Sequence, residues 1–152
     1  MEQENLKLIE EEAHSLLKQL KIEATVEVEV DEEGVVHLSL NSENAGLLIG
    51  YYGQTLSSLQ LIFNLIIYKK LGTWVKIILD VGDWRQRREE YLRKLALSLA
   101  QQVEVDGQPV VCPQLTSAER RIVHLALQDH PQVVTESSGE GRDRRLIVKP
   151  KT

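Results

Sequence analysis

Leu47-Leu48-Ile49-Gly50-Tyr51-Tyr52-Gly53-Gln54-Thr55-Leu56 is the stretch from which the rest of this 152-residue chain can be organised. Two glycines three apart break a helical pattern. Ala45–Ile49 precedes them, and Leu56, Leu59, Ile62, Phe63, Ile66 and Ile67 follow as the expected inner face of a second helix. Glycine at such a break frees the backbone to turn sharply. It also lets peptide N–H groups approach a phosphate chain at the start of the next helix, where the dipole favours an anion. A glycine pair alone marks a turn; helix, Gly-x-x-Gly, helix and strand in succession is a more demanding pattern.

Toward the N-terminus, Asn41 or Ser42 is the expected cap of the short helix. Before it, Val26, Val28 and Val30 alternate with Glu27, Glu29 and Asp31, and Val36, Leu38 and Leu40 alternate with His37 and Ser39. Asp31 to Gly34 supplies the turn, which predicts a two-stranded hairpin with one buried face. Leu6, Ile9, Ala13, Leu16, Leu17 and Leu20 predict an amphipathic helix over 2–20. Toward the C-terminus, Leu71–Gly72 ends the long helix and 74–81 reads as a strand.

A charged helix follows from about Asp83, with Trp84, Tyr91, Leu92, Leu95, Ala96 and Leu99 as its apolar set. Its arginines, Arg85, Arg87 and Arg88, are candidate phosphate contacts, or else partners in pairs such as Arg85–Glu89. Beyond the Asp106–Gly107 turn, a short strand at Val110–Val111, a helix over 118–128 capped by Thr116 or Ser117, and strands at 133–136 and 144–149 complete the chain. The class is α+β.

Charge divides the same way. Residues 1–83 hold 6 Lys/Arg against 14 Asp/Glu, a net of −8, and residues 84–152 hold 12 against 9, a net of +3. An acidic half joined to a basic one points to two modules, the second suited to a polyanion. The lone Cys112 excludes an internal disulfide and a multi-cysteine zinc site. No apolar run reaches the roughly 20 residues of a membrane span, and the acidic start lacks the pattern of a secretion signal, so a cytoplasmic protein off the membrane is expected. No Walker loop, dinucleotide fingerprint, His-x-x-x-His pair or nucleophile–histidine–carboxylate set stands out. The expectation is a non-enzyme without cofactor or metal.

The 47–56 stretch, in its context, resembles the signature of a KH domain with its extra helix and strand at the N-terminal side, the type II-like arrangement. The resemblance covers about 2–81 and implies that Gly50, Tyr51, Tyr52, Gly53 and Gln54 form a loop that clamps about four nucleotides of a single strand. Many RNA-binding members carry Lys or Arg between the glycines. Here Tyr51 and Tyr52 replace that charge with rings that can stack on bases or face a protein partner.

Arg120 and His124, four apart, share a helix face, with Arg121 about 100° away. Arg142, Arg144, Arg145, Lys149 and Lys151 cluster near the end of the chain. Two guanidinium-rich surfaces suit phosphate. Structural alternatives are a His124 that donates to a backbone carbonyl and so holds its helix to the sheet, and an Arg145 paired with Glu140 or Glu119.

Residues 119–127, 134–141 and 144–150 resemble the motif helix and closing hairpin of the R-3-H domain, associated with single-stranded nucleic acid. Asp80-Val81-Gly82-Asp83-Trp84-Arg85-Gln86-Arg87-Arg88-Glu89-Glu90 resembles the linking segment of the bacterial Jag (SpoIIIJ-associated) family. The chain is similar to a short form of that family that starts directly at the KH helix, without its N-terminal Jag domain. The resemblance implies a KH domain over 1–82, a joining helix over 83–104 and an R-3-H domain over 105–152. It implies a post-transcriptional regulator that binds single-stranded RNA, with single-stranded DNA left open. The expected sites are the Gly50–Gly53 turn and a basic face of Arg120, Arg121, His124, Arg142, Arg144, Arg145 and Lys149. The alternative is an adaptor whose KH module pairs with another KH protein, as a homodimer or a heterodimer, with nucleic acid left to the R-3-H module.

Overall fold

The computed structural model describes residues 2–152 and is α+β, in two compact units that divide between Arg85 and Gln86.

The first unit runs α1 (Gln3–Gln19), β1 (Thr25–Val30), β2 (Val36–Asn41), α2 (Ala45–Ile49), a single 3-10 turn (Tyr51–Gly53), α3 (Gln54–Leu71) and β3 (Ile77–Val81). The strands are ordered β1-β2-β3, the first pair antiparallel and the second parallel. The valine alternation fixes the hairpin register, with Val28 opposite Leu38 and Val26 opposite Leu40. At its turn, the Asp31 carboxylate accepts from the backbone N–H of Glu33 and Val35 and bonds His37 Nε2 at 2.9 Å. The His37 contact, foremost, holds that carboxyl below the usual carboxylate range. Ile9, Ala13 and Leu17 of α1 and Leu56, Phe63 and Ile67 of α3 cover one sheet face over Val36, Leu38, Leu40, Ile77, Leu79 and Val81.

Two expectations are corrected here. Ile62 is 48% exposed rather than on the inner face, because it lies about 120° round the helix from the Leu56–Phe63–Ile67 stripe. The third strand begins at Ile77, not Trp74: the left-handed Gly72 redirects the chain, and Trp74 stacks on Tyr68 at 4.5 Å between ring centres. Strand β3 forms an edge of the sheet, and a side chain closes it. Gln60 of α3 donates to the Ile77 carbonyl and accepts the Leu79 N–H at 2.7 Å, while Arg85 Nε donates to the Leu79 carbonyl at 2.9 Å. An edge whose peptide groups are paired this way is poorly disposed to recruit another strand.

The second unit contains most of α4 (Trp84–Asp106), then β4 (Val110–Val111), α5 (Ser117–Leu127), β5 (Val133–Ser138), a 3-10 turn (Gly141–Asp143) and β6 (Arg145–Pro150). Its antiparallel sheet has the order β4-β6-β5. Leu92, Ala96, Leu99, Ala100 and Val103 of α4 pack with Cys112, Leu115, Val123, Leu127, Val133, Leu146 and Val148. Of the apolar set expected on α4, Tyr91 is exposed and Trp84 packs against the first core. Burial pushes the Cys112 thiol up to about 11, so it is an inert packing group. Among the described residues, no helix is long and apolar enough to cross a membrane, and no three His, Cys, Asp or Glu side chains converge as a metal site.

Candidate nucleic-acid interface

Both glycines of the first-unit loop are sterically required. Gly50 has φ 71° and ψ −165°, and an ideal Cβ there would lie 2.0 Å from Thr55 Oγ1. Gly53 has φ 78°, and a Cβ would lie 2.7 Å from Trp84 Nε1. Tyr52 between them is itself left-handed, at φ 50° and ψ 37°. Such a conformation in a bulky residue is strained and persists only where its surroundings impose it. The result is an outward display. Tyr51 and Tyr52 are 72% and 55% exposed, their rings edge to face at 4.3 Å, whereas Gly53 is buried. Gln54, exposed, is the first residue of α3, and no charged side chain lies in 50–54. The loop therefore offers aromatic surface and backbone, without a fixed cation for phosphate.

The second unit sorts its cations by sheet face. Thr116 caps α5 in a full capping box with Glu119, which sets the helix start and places Arg120 and His124 one turn apart on one stripe. His124 Nδ1 meets Thr135 Oγ1 at 2.5 Å, so His124 ties its helix to β5 through a hydroxyl side chain and not through the expected backbone carbonyl. Arg144 Nε donates to Ser137 Oγ at 2.6 Å, and its Nη1 donates to the Gly139 carbonyl at 3.2 Å. Thr135 and Ser137 lie opposite Val148 and Leu146, both buried, so they point to the α5 side of the sheet. Arg120 Nη1 donates to the Leu115 carbonyl at 2.8 Å. Arg120, His124 and Arg144 thus each have a fixed partner, the two arginines donating to Leu115, Ser137 and Gly139 and His124 bonded to Thr135.

Arg145 and Lys149 alternate with Leu146 and Val148, so both project from the other sheet face. Lys149 pairs with Glu136 there and holds that carboxyl below its ordinary range. Arg145 donates to the carbonyls of Arg142 and Arg144 instead of pairing with Glu140 or Glu119. The exposed Arg142 occupies the 3-10 turn, and Arg121 is exposed on α5.

The α4 arginines also have separate environments. Arg85 belongs to the first unit and turns to Leu79 and Gln60; the expected Arg85–Glu89 pair gives way to Glu89–Arg93. Arg88 Nε reaches Glu119 Oε1 at 2.8 Å, and its guanidinium carbon lies 5.2 Å from the ring centre of Tyr91. Arg87 is exposed. Sequence reasoning missed Thr135, Ser137 and Tyr91 as members of these surfaces. The period-2 spacing of Thr135 and Ser137 along β5 was the available signal.

Comparison with known proteins agrees with this division. Residues 7–79 match the family described as KhpA/KhpB, KH domain, and residues 90–150 match the R-3-H domain. The chain is 37% identical over 127 residues to an RNA-binding protein KhpB of Clostridium symbiosum, covering 83% of this chain and 57% of that protein. Relatives of the same name are 32% identical in Bacillus subtilis strain 168 (80% of this chain, 59% of that one) and 31% identical in Lactiplantibacillus plantarum (88% and 41%). The chain spans about half the length of these relatives. With a KH domain of the KhpA/KhpB type followed by an R-3-H domain, and relatives of this kind along most of its length, the chain belongs to the KhpB (Jag) family.

Proposed function

We propose that this chain binds single-stranded RNA without altering it chemically, as a post-transcriptional regulator. The observation that carries the reading is the surface shared by α5 and β5. There Arg120 and Arg144 are oriented by Leu115, Ser137 and Gly139, beside His124 on Thr135. A guanidinium has five N–H donors; Arg120 uses one and Arg144 two in these contacts, which fixes each fork while leaving donors for phosphate. The Tyr51 and Tyr52 rings add a platform of a different kind, where stacking is worth about 1–3 kcal/mol per base and tolerates any base. The name of the relatives, RNA-binding protein, supports the same ligand.

The test is equilibrium binding of a labelled 20-nucleotide oligouridine over a series of salt concentrations. Arg120→Ala with Arg144→Ala is expected to weaken binding about tenfold or more at 0.1 M salt and to lower the salt slope by about one to two. Arg145→Ala with Lys149→Ala, on the opposite sheet face, is expected to do less. The reverse order would move the RNA to that face. A matched oligodeoxyuridine reports whether the 2′-hydroxyl matters.

A second reading is favoured by the outer face of α3. Leu61, Leu65 and Tyr68 form one stripe, continued by Trp74, with Leu61 and Trp74 more than 60% exposed. Helical surface this apolar suits a partner, and in this reading the KH module pairs with another KH protein, either a second copy or a different chain. Leu65→Glu is expected to abolish self-association measured by light scattering at micromolar concentration while leaving the circular dichroism intact. A wild-type chain that stays monomeric directs the surface to a different KH partner.

A further inference from the structure

We propose that Trp84 is a positioning residue for the Gly50–Gly53 turn, and that Gly53 lacks a side chain in order to admit the Trp84 ring. This deepens the RNA-binding reading of the loop and rests on it. The glycine of such a turn is ordinarily read as clearing a path for phosphate. Here Gly53 is buried, and the space its Cβ would fill is taken from within: Trp84 Nε1, Cε2 and Cζ2 stand 2.7, 3.4 and 3.5 Å from that position.

The chain is built to deliver this ring. Directly after β3, Gly82 and Asp83 are both left-handed, at φ 53° and 57°, and Gly82 N–H is held by the Leu40 carbonyl at 3.0 Å. Two such residues in succession make a tight turn between β3 and α4, and aspartate is one of the few side-chain-bearing residues that take this conformation readily. On the far side of Trp84, the Arg85 N–H donates to Asp80 Oδ1 at 3.3 Å and Arg85 Nε to the Leu79 carbonyl at 2.9 Å. Trp84 is therefore held from both flanks, to β2 through Gly82 and to β3 through Arg85; it is half-buried against the first core and backs the turn that displays Tyr51 and Tyr52. A loop containing a strained Tyr52 needs such a backing, since the left-handed state is kept only by its surroundings. Substitution at Gly53 disturbs Trp84 before it meets any ligand, so loss of binding in Gly53→Asp does not by itself report a phosphate contact.

Two measurements on the full chain test the inference. The first is a cycle of thermal melts over Gly53→Ala, Trp84→Ala and the double variant. The backbone strain of an alanine at φ 78° is common to both backgrounds, but the collision exists only where Trp84 is present. Gly53→Ala is therefore expected to lower the melting temperature by several degrees more in the wild type than in the Trp84→Ala background; equal losses overturn the steric pairing. The second is photocrosslinking to the 20-nucleotide oligouridine, with crosslinked peptides located by mass spectrometry. Trp84→Ala is expected to weaken affinity about tenfold, the scale of one stacked base, and to deplete crosslinks at Tyr51 and Tyr52. Trp84→Phe, which keeps a ring behind the turn, is expected to restore most of both. Should Trp84→Ala unfold the first unit, Trp84→Leu carries the comparison, as an apolar filler without the flat ring. Wild-type crosslinks at the tyrosines that persist in the variant overturn the positioning role and leave RNA binding standing. A wild type with no crosslink at the tyrosines overturns the RNA reading of the loop, and this inference with it, whatever the melts give.

Discussion

Replacing Gly50 with alanine is expected to cost the first unit about 3 kcal/mol, the sum of a glycine-only backbone state and a collision. At φ 71° and ψ −165° the residue lies where side-chain-bearing residues are essentially absent. The added Cβ would sit 2.0 Å from Thr55 Oγ1 and 2.6 Å from Thr55 Cβ, so rotating the hydroxyl away does not relieve it. The first turn of α3 would have to move. For a unit of this size the loss corresponds to a fall in melting temperature of roughly 15 °C. Gly46→Ala is the internal contrast: it lies within α2, and nothing stands within 4 Å of its Cβ position. That substitution is expected to stabilise by about 0.5–1 kcal/mol. Urea unfolding of both variants checks the pair, and an unchanged midpoint for Gly50→Ala would mean that the turn relaxes freely.

Arg88→Met is expected to destabilise the second unit by about 2–3 kcal/mol, because it strands a carboxylate that has little access to water. The two side chains are only 13% and 14% exposed, so the pair is not a screened surface contact. Glu119 is also engaged twice more, accepting from the Thr116 N–H and donating its own N–H to Thr116 Oγ1. Loss of Arg88 therefore loosens the start of α5 and, with it, the placement of the adjacent Arg120 and of His124 one turn further on. Chemical denaturation measures the first effect. A midpoint shift equivalent to less than about 0.5 kcal/mol would show that water replaces the guanidinium without penalty.

These two expectations differ in how far the amino-acid order alone could have led to them. The glycine pair, the Val26–Val30 and Val36–Leu40 alternation and the Thr116 cap are local signals, and local physics realises them: hairpin, turn and capped helix all form where the periods change. Trp84 was invisible by the same logic. At the first position of a long helix it reads as one of that helix's apolar residues, yet it is drawn into the other core by the left-handed Gly82–Asp83 turn. Arg144 and Arg145 show a different limit. As neighbours they count as one cluster, but the alternation of β6 sends Arg145 to one face while Arg144, just ahead of the strand, folds back to Ser137. Charge counting sums what the pleat separates. Partner choice is a third limit: Arg85 and Glu89 have helical spacing, but the carbonyl of Leu79 and the amide of Gln60 compete for Arg85, and Arg93 takes Glu89.

The Gln60 side chain that closes the edge of β3 has a consequence for how the first unit breathes. The Leu79 N–H is bound to an oxygen carried by a helix, not by a neighbouring strand. Its exchange with deuterated solvent is therefore governed by the lifting of α3, whereas the amides paired between β2 and β3 await the parting of the sheet. A single proton thus separates two openings that most probes would merge. It also marks the moment at which the protected β3 edge becomes available to a second chain, so recruitment of a strand at that edge begins with the undocking of one helix and not with the loss of the sheet.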